Sequence, residues 1–179
     1  MASIRENIGR RILKSKKKGF QRQQQVYNFE TAETAVLVFD TAVPNALQVI
    51  KSFRAFLSDN KIHNAAFGYV REKEVPEDML FWKNFSFITR GDLNWYLRPQ
   101  GEVAENFFGK NPDMLIDFTR NTPLELKFLV ELSGARFKIG CFTEEENDYD
   151  LMINLDKGAD LAFLAEQIKH YVSILQSKN

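Results

Sequence analysis

The stretch Asn111–Phe142, NPDMLIDFTRNTPLELKFLVELSGARFKIGCF, predicts a strand, a helix and a second strand in succession. Met114–Ile116 is an apolar run short enough for a fully buried strand, and it shows no polar alternation. Phe137–Cys141 resumes as strand after the helix. Two strands joined through a helix form a right-handed parallel unit, so the stretch predicts a parallel sheet.

The helix in this stretch has sequence signals at both ends. Thr122 and Glu125 have the spacing of a capping box, and Pro123 lies where a missing N–H costs nothing. Gly134 predicts the end of the helix, because glycine adopts the left-handed conformation there without strain. The signals predict one short helix between the two strands.

The rest of the chain continues this alternation. Val26–Phe29 is compatible with a short edge strand. Further strands are predicted at Ala35–Phe39, Ile62–Val70, Phe85–Ile88 and Tyr149–Leu155, and helices at Asn45–Leu57, Val103–Phe108 and Gly158–Leu175. Strands that alternate with helices predict an α/β fold, here three-layer and Rossmann-like, with a mostly parallel sheet flanked by helices.

The composition predicts a folded cytoplasmic protein. Hydrophobic residues make up 44% of the 179 residues, which suffices for the core of one domain. No apolar run approaches the ~20 residues of a membrane span, and no signal peptide is recognisable. Cys141 is the only cysteine, so an internal disulfide is excluded.

The net charge of zero conceals a basic segment. Residues 1–25 carry eight Lys or Arg and one acidic side chain, a net charge of +7. Residues 26–179 then carry 16 basic and 23 acidic side chains, a net charge of −7. We therefore predict a basic N-terminal segment, residues 1–25, followed by a single Rossmann-like domain, residues 26–179.

The basic segment contains Ile4, Ile8 and Ile12 at a spacing of four, which predicts an amphipathic helix ending near Gly19. Three roles fit this pattern: a helix docked on the domain through its isoleucines, a solvated tail, or a surface for RNA or anionic lipid. The apolar face carries no aromatic residue, which disfavours lipid. The candidate contacts with RNA or another acidic partner are Arg10, Arg11, Lys14, Lys16, Lys17 and Lys18.

Aromatic residues are frequent between Phe81 and Tyr96. They suit either an edge of the core or an exposed recognition surface, and the core is the favoured interpretation.

The motifs of most enzyme classes are missing. His63 and His170, the only histidines, lie far apart and outside any zinc-binding pattern. No phosphate-binding P-loop, no G-x-G-x-x-G after the first strand and no G-x-S-x-G elbow occurs. Cys141 has the context of a buried structural thiol. The sequence predicts no metal and no cofactor, and it favours a non-catalytic protein.

Polar residues nevertheless follow two predicted strands. Ligands of open parallel sheets bind beyond the carboxyl ends of the strands, where the strand order reverses. Two predicted strands flanking that point would form a polar rim for a small anion or sugar, although the same residue types are ordinary helix caps. We call this set the strand-end rim: Asp40, Thr41, Asn45, Asp117, Thr119, Arg120 and Asn121.

Two resemblances accompany these patterns. The segments Val36–Val70 and Asp113–Phe142, with the turn Gly134–Gly140, resemble the N-terminal Rossmann-like half of heptosyltransferase-type glycosyltransferases. That resemblance implies a degenerate or partial enzyme binding a sugar or nucleotide at the strand-end rim, although Pro44-Asn45 replaces the Gly-Asp turn of those enzymes. The whole chain, including Asp92–Trp95, resembles an uncharacterised family of cytoplasmic Bacteroidota proteins, which implies no activity.

Overall fold

The protein, described here by a computed structural model, contains six strands and five α-helices within residues 3–176. The predicted basic segment and domain extend beyond this range by residues 1–2 and 177–179. The strands are β1 (Thr34–Asp40), β2 (His63–Val70), β3 (Phe85–Thr89), β4 (Met114–Asp117), β5 (Phe137–Cys141) and β6 (Leu151–Ile153). The helices are α1 (Ile4–Lys18), α2 (Ala46–Asp59), α3 (Glu102–Phe108), α4 (Leu124–Glu131) and α5 (Leu161–Ile174).

The six strands form one sheet in the order β3-β2-β1-β4-β5-β6. Every neighbouring pair is parallel. Helices α2 and α5 cover one face around Phe53 and Ile168, and α3 and α4 cover the other around Phe107 and Leu129. The predicted three-layer, Rossmann-like α/β fold is confirmed, and the sheet is parallel throughout the described residues.

Helix α1 packs outside α4. Leu13 is buried there against Leu124 and Phe128. Gly9 lies so close that a Cβ atom at this position would come within 2.8 Å of Leu124 Cδ2. The predicted isoleucine stripe contributes in part: Ile12 packs against the same cluster as Leu13, whereas Ile4 is 76% exposed. The helix docks through Gly9 and Leu13 because a missing side chain allows the close approach.

The strand-helix-strand unit forms as predicted, but the residues predicted to cap the start and the end of its helix do not cap it. Pro123 occupies the N-cap position of α4 and has no side-chain acceptor, so no side chain caps the helix, and the Thr122 hydroxyl donates to Asp117. Gly134 lies beyond the end of α4 and has no left-handed conformation. Gly134 instead leaves room for the Asn111 side chain, which a Cβ atom at this position would overlap. Both predictions failed because contacts with residues outside the helix, Asp117 and Asn111, determine these positions.

Two other local predictions are also corrected. Val26–Phe29 forms no strand; Tyr27 and Phe29 instead extend a buried loop over the core, and the Asn28 amide donates to Leu175 O at 2.9 Å. The aromatic-rich stretch is only partly core, since Phe81 and Trp95 are 83% and 59% exposed.

Within residues 3–176, no helix has both the length and the apolar character needed to cross a membrane.

Candidate functional site

Asp117 lies at the carboxyl end of β4, beside β1, where the strand order reverses. It is fully buried. Its carboxylate accepts hydrogen bonds from the Thr119 amide at 2.8 Å, the Thr119 hydroxyl at 2.7 Å and the Thr122 hydroxyl at 3.0 Å. The Tyr149 hydroxyl donates a further short bond. Asp117 therefore joins β4, the start of α4 and the β5–β6 connection.

The pKa values of this group follow from its burial. Burial of the carboxylate away from water raises the pKa of Asp117, and the hydrogen bonds from Tyr149 and Thr119 oppose that shift. Burial and the nearby Asp117 carboxylate also raise the pKa of Tyr149. Tyr149 thus stays protonated and acts as a donor, which is a structural role.

The β1 side of the strand-end rim is held by a separate set of bonds. Asp40 accepts from the Arg71 guanidinium at 2.7 Å and from the Ala42 amide at 2.9 Å. The Thr41 hydroxyl donates to Tyr69 O at 2.8 Å. Asn45 precedes α2 in a left-handed conformation, with a φ of 60°, and its side chain caps nothing. Asp40 therefore stabilises a turn.

The remaining rim residues lie nearer the surface. Arg120 is exposed and donates to the main-chain carbonyl of Asp156. Asn121 is also exposed. Among the described residues, no side-chain hydrogen bond connects the Asp40 group with the Asp117 group. The rim is therefore two separate bonded groups at one edge of the sheet.

A cleft of about 300 Å³ opens beside the Asp117 group. Its walls are α1, the first turns of α4 and residues 143–150, which we call the acidic loop. Arg10, Lys127 and Glu145 face one another across it. Sequence reasoning missed this cleft, because an acidic stretch such as TEEEND has the composition of a solvated turn and gives no signal of its partners.

The basic segment is paired with acidic side chains of the domain. Arg10 approaches Glu145 at 3.8 Å, and Lys14 approaches Glu146 at 3.6 Å. Lys17 contacts Glu131 at 2.8 Å in a largely buried pair. Cations of the basic N-terminal segment thus contact carboxylates of the acidic remainder of the chain.

Three cations of α1 are exposed to solvent. Arg11, Lys14 and Lys18 are exposed and recur at intervals of three and four residues along the helix. Lys14 makes only its solvent-exposed contact with Glu146, and no salt bridge of Arg11 or Lys18 occurs within residues 3–176. We call Arg11, Lys14 and Lys18 the outer basic face. Lys16 is exposed beside it.

No group of three or more metal-ligating side chains occurs in the described part of the chain. Comparison with protein families gives one match: DUF6913, a family of unknown function, covers residues 5–175. The chain belongs to this family. None of the curated proteins and none of the solved structures compared matches it.

The family match includes α1. It begins at residue 5, inside the basic helix, and ends at residue 175, just after α5. The docked helix is therefore part of the region that defines DUF6913.

Proposed function

We propose that this DUF6913 protein is a non-catalytic interaction module that binds single-stranded RNA through the outer basic face of α1. The observation that carries the proposal is the division of charge on α1. Arg10 and Lys17 face acidic side chains of the domain, whereas Arg11 and Lys18 face solvent without a salt bridge among the described residues, and Lys14 is 69% exposed beside Glu146. The helix that carries them is fixed in place by Gly9 and Leu13. Fixed, exposed cations suit phosphate groups, which provide most of the affinity in non-specific RNA binding.

An exposed aromatic side chain favours RNA over an acidic protein. Trp95 is 59% exposed, and its main-chain carbonyl accepts a 2.8 Å bond from Arg5 Nε at the start of α1. Unpaired bases stack on exposed aromatic rings, each contributing about 1–3 kcal/mol. An exposed indole next to the start of the basic helix therefore supports single-stranded RNA as the partner.

The alternative, a glycosyltransferase-like site for a sugar or nucleotide at the strand-end rim, has less support. Asp117 is fully buried and already accepts from Thr119, Thr122 and Tyr149. Asp40 is already bonded to Arg71 and Ala42. Both carboxylates have structural partners, which favours a non-catalytic role.

The test compares two triple variants with equal change in charge. Arg11→Gln, Lys14→Gln and Lys18→Gln together remove the outer basic face. The matched control changes Lys61, Lys83 and Lys157 to Gln, which are exposed residues outside α1. Point substitutions are preferable to deleting residues 1–25, because deletion would expose Leu124 and Phe128.

Binding of a labelled single-stranded RNA is measured between low and moderate salt. Three phosphate contacts predict a log–log salt slope of about −2 for the wild type, lost in the first variant and kept in the control. Trp95→Ala is expected to weaken binding without changing the slope. Equal losses in both triple variants, or no binding by the wild type, would refute the proposal, whereas binding of an acidic peptide alone would assign the face to a protein partner.

A further inference from the structure

Two cations on opposite walls of the cleft meet the same carboxylate. Lys127 extends from α4 and forms a short contact with Glu145, while Arg10 approaches Glu145 from α1 at 3.8 Å. The Lys127 side chain is 18% exposed and that of Glu145 is 59% exposed. These cations lower the pKa of Glu145, chiefly through the hydrogen bond from Lys127. The acidic loop thus supplies one exposed carboxylate to two cations.

The other carboxylates that line the cleft have their own partners. Glu131 contacts Lys17 at 2.8 Å, and Asp148 contacts Lys138 at 2.6 Å. Both pairs leave the charge of the cleft unchanged.

The last two acidic residues of the lining bond to neutral groups. Glu6 accepts from the Ser3 amide at 2.7 Å, and Glu125 accepts from the Tyr69 hydroxyl at 3.3 Å. Arg120, a third cation of the lining, likewise donates to the neutral carbonyl of Asp156. Glu6 and Glu125 keep their negative charges, and Glu145 is the carboxylate that contacts both Lys127 and Arg10, from an exposed position.

We infer that the cleft binds a small anion carrying a phosphate group, with Glu145 as the internal counter-ion that the ligand displaces. An exposed ion pair contributes only about 0.2–1 kcal/mol, so displacing Glu145 costs little. A phosphate dianion bound between Lys127 and Arg10 would carry two negative charges where the Glu145 carboxylate carries one.

The size and position of the cleft agree with this inference. Ligand pockets generally span about 300–1,000 Å³, so a cleft of about 300 Å³ fits a single small molecule. Cys141, the last residue of β5, and Thr122, in the loop between β4 and α4, line the cleft, and ligands of parallel sheets bind at this end. The inference concerns a ligand distinct from RNA, and it uses residues other than the outer basic face.

The experiment titrates full-length protein with inorganic phosphate at constant ionic strength, maintained with sodium chloride, and measures affinity by calorimetry. Glu145→Gln removes the competing carboxylate and is expected to tighten phosphate binding about two- to fivefold. Glu144→Gln is the matched control, because Glu144 is exposed, adjacent and equally charged. It is expected to leave the affinity unchanged. Adding Lys127→Gln to Glu145→Gln is expected to abolish binding.

Thermal unfolding of each variant confirms that the fold is retained. Equal phosphate affinities for Glu145→Gln and Glu144→Gln would overturn the inference. So would phosphate binding that persists after Lys127→Gln, or no binding by Glu145→Gln. The RNA assay separates the two proposals, because Lys127→Gln is expected to leave RNA binding intact while the outer-basic-face variant retains phosphate binding.

Discussion

Two sets of ion pairs hold the basic segment against the domain, and they differ in burial. At the connection that follows α1, the side chains of Arg22 and Lys138 are 4% and 0% exposed. Along α1 itself, the side chains of Lys14 and Glu146 are 69% and 73% exposed. Water weakens exposed ion pairs, whereas removal of one partner from a buried pair leaves a charge uncompensated. The buried set should therefore contribute more to the free energy of unfolding, and the exposed pairs should break at little cost.

The buried set is fully bonded. Arg22 donates to Asp148 at 3.1 Å, to Asp150 at 3.0 Å and to Arg136 O at 2.9 Å. Lys138 donates to Asp148 at 2.6 Å. We call Arg22, Lys138, Asp148 and Asp150 the connector cluster. It fixes the chain just after α1, whereas two pairs along the helix, Arg10 with Glu145 and Lys14 with Glu146, are exposed and involve the acidic loop.

The largest expected effect is at Arg22. Arg22→Ala leaves Asp148 and Asp150 without the guanidinium and is expected to lower the free energy of unfolding by about 3–5 kcal/mol. Urea unfolding followed by circular dichroism measures it. Arg11→Ala, at an exposed position, is the control and should change stability by less than about 0.5 kcal/mol. A similar small change for both variants would contradict the distinction between the two sets.

The second effect is a pH dependence of the connector cluster. Burial lowers the pKa of Lys138 from 10.5 to about 8, against the opposing effect of Asp148. Between these values the unfolded chain binds more protons than the folded chain, so stability from this group increases as pH rises. Relative to Lys138→Met, the wild type should gain about 3 kcal/mol from pH 8 to 10.5.

Urea unfolding at both pH values provides this measurement. Lys157→Met, at an exposed lysine, is the control: it retains Lys138, so its difference in stability from the wild type should be the same at both pH values. A constant difference between wild type and Lys138→Met across the window would show that Lys138 titrates normally.

A medium effect is expected where α1 approaches the domain most closely. Gly9→Ala places a methyl group against Tyr96 O and Leu124, which should cost about 1–3 kcal/mol or lift the helix. Hydrogen exchange should then accelerate in α1 and not at Arg22. Gly19→Ala is the control, since the nearest atom to its Cβ would be Lys16 O at 4.0 Å. Unchanged exchange in Gly9→Ala would mean that α1 does not depend on this contact.

The smallest effect is expected for the exposed pair of Lys14 and Glu146. A double-mutant cycle with alanine should give a coupling energy of about 0.2–1 kcal/mol that decreases in 1 M salt. A coupling above about 2 kcal/mol would place this pair with the connector cluster.

Short sequence patterns predicted the elements whose formation depends on neighbouring residues alone. The apolar runs at Met114–Ile116 and Phe137–Cys141 identify buried strands because burial on both faces requires uninterrupted apolar residues. Thr122 and Gly134 match helix-end patterns equally well, yet their positions are set by Asp117 and Asn111.

The candidate site shows the same limit. The sequence identifies Asp117 as a polar residue after a strand, but Tyr149, which donates to it, lies 32 residues further along the chain. Glu145 looks like part of a solvated loop until Arg10 and Lys127 are seen to face it. Pairings between distant residues carry no periodicity, so they become visible only in the folded chain.

The separation of Arg22 from Asp148 has a consequence during translation. The two residues are 126 positions apart. At about 5–20 residues per second, a ribosome takes roughly 6–25 s to synthesise the intervening chain. Throughout that interval the nascent Arg22 lacks the carboxylate of Asp148, close to the ribosome's own RNA. The order of synthesis thus delays assembly of the connector cluster until β1 to β5 have been synthesised.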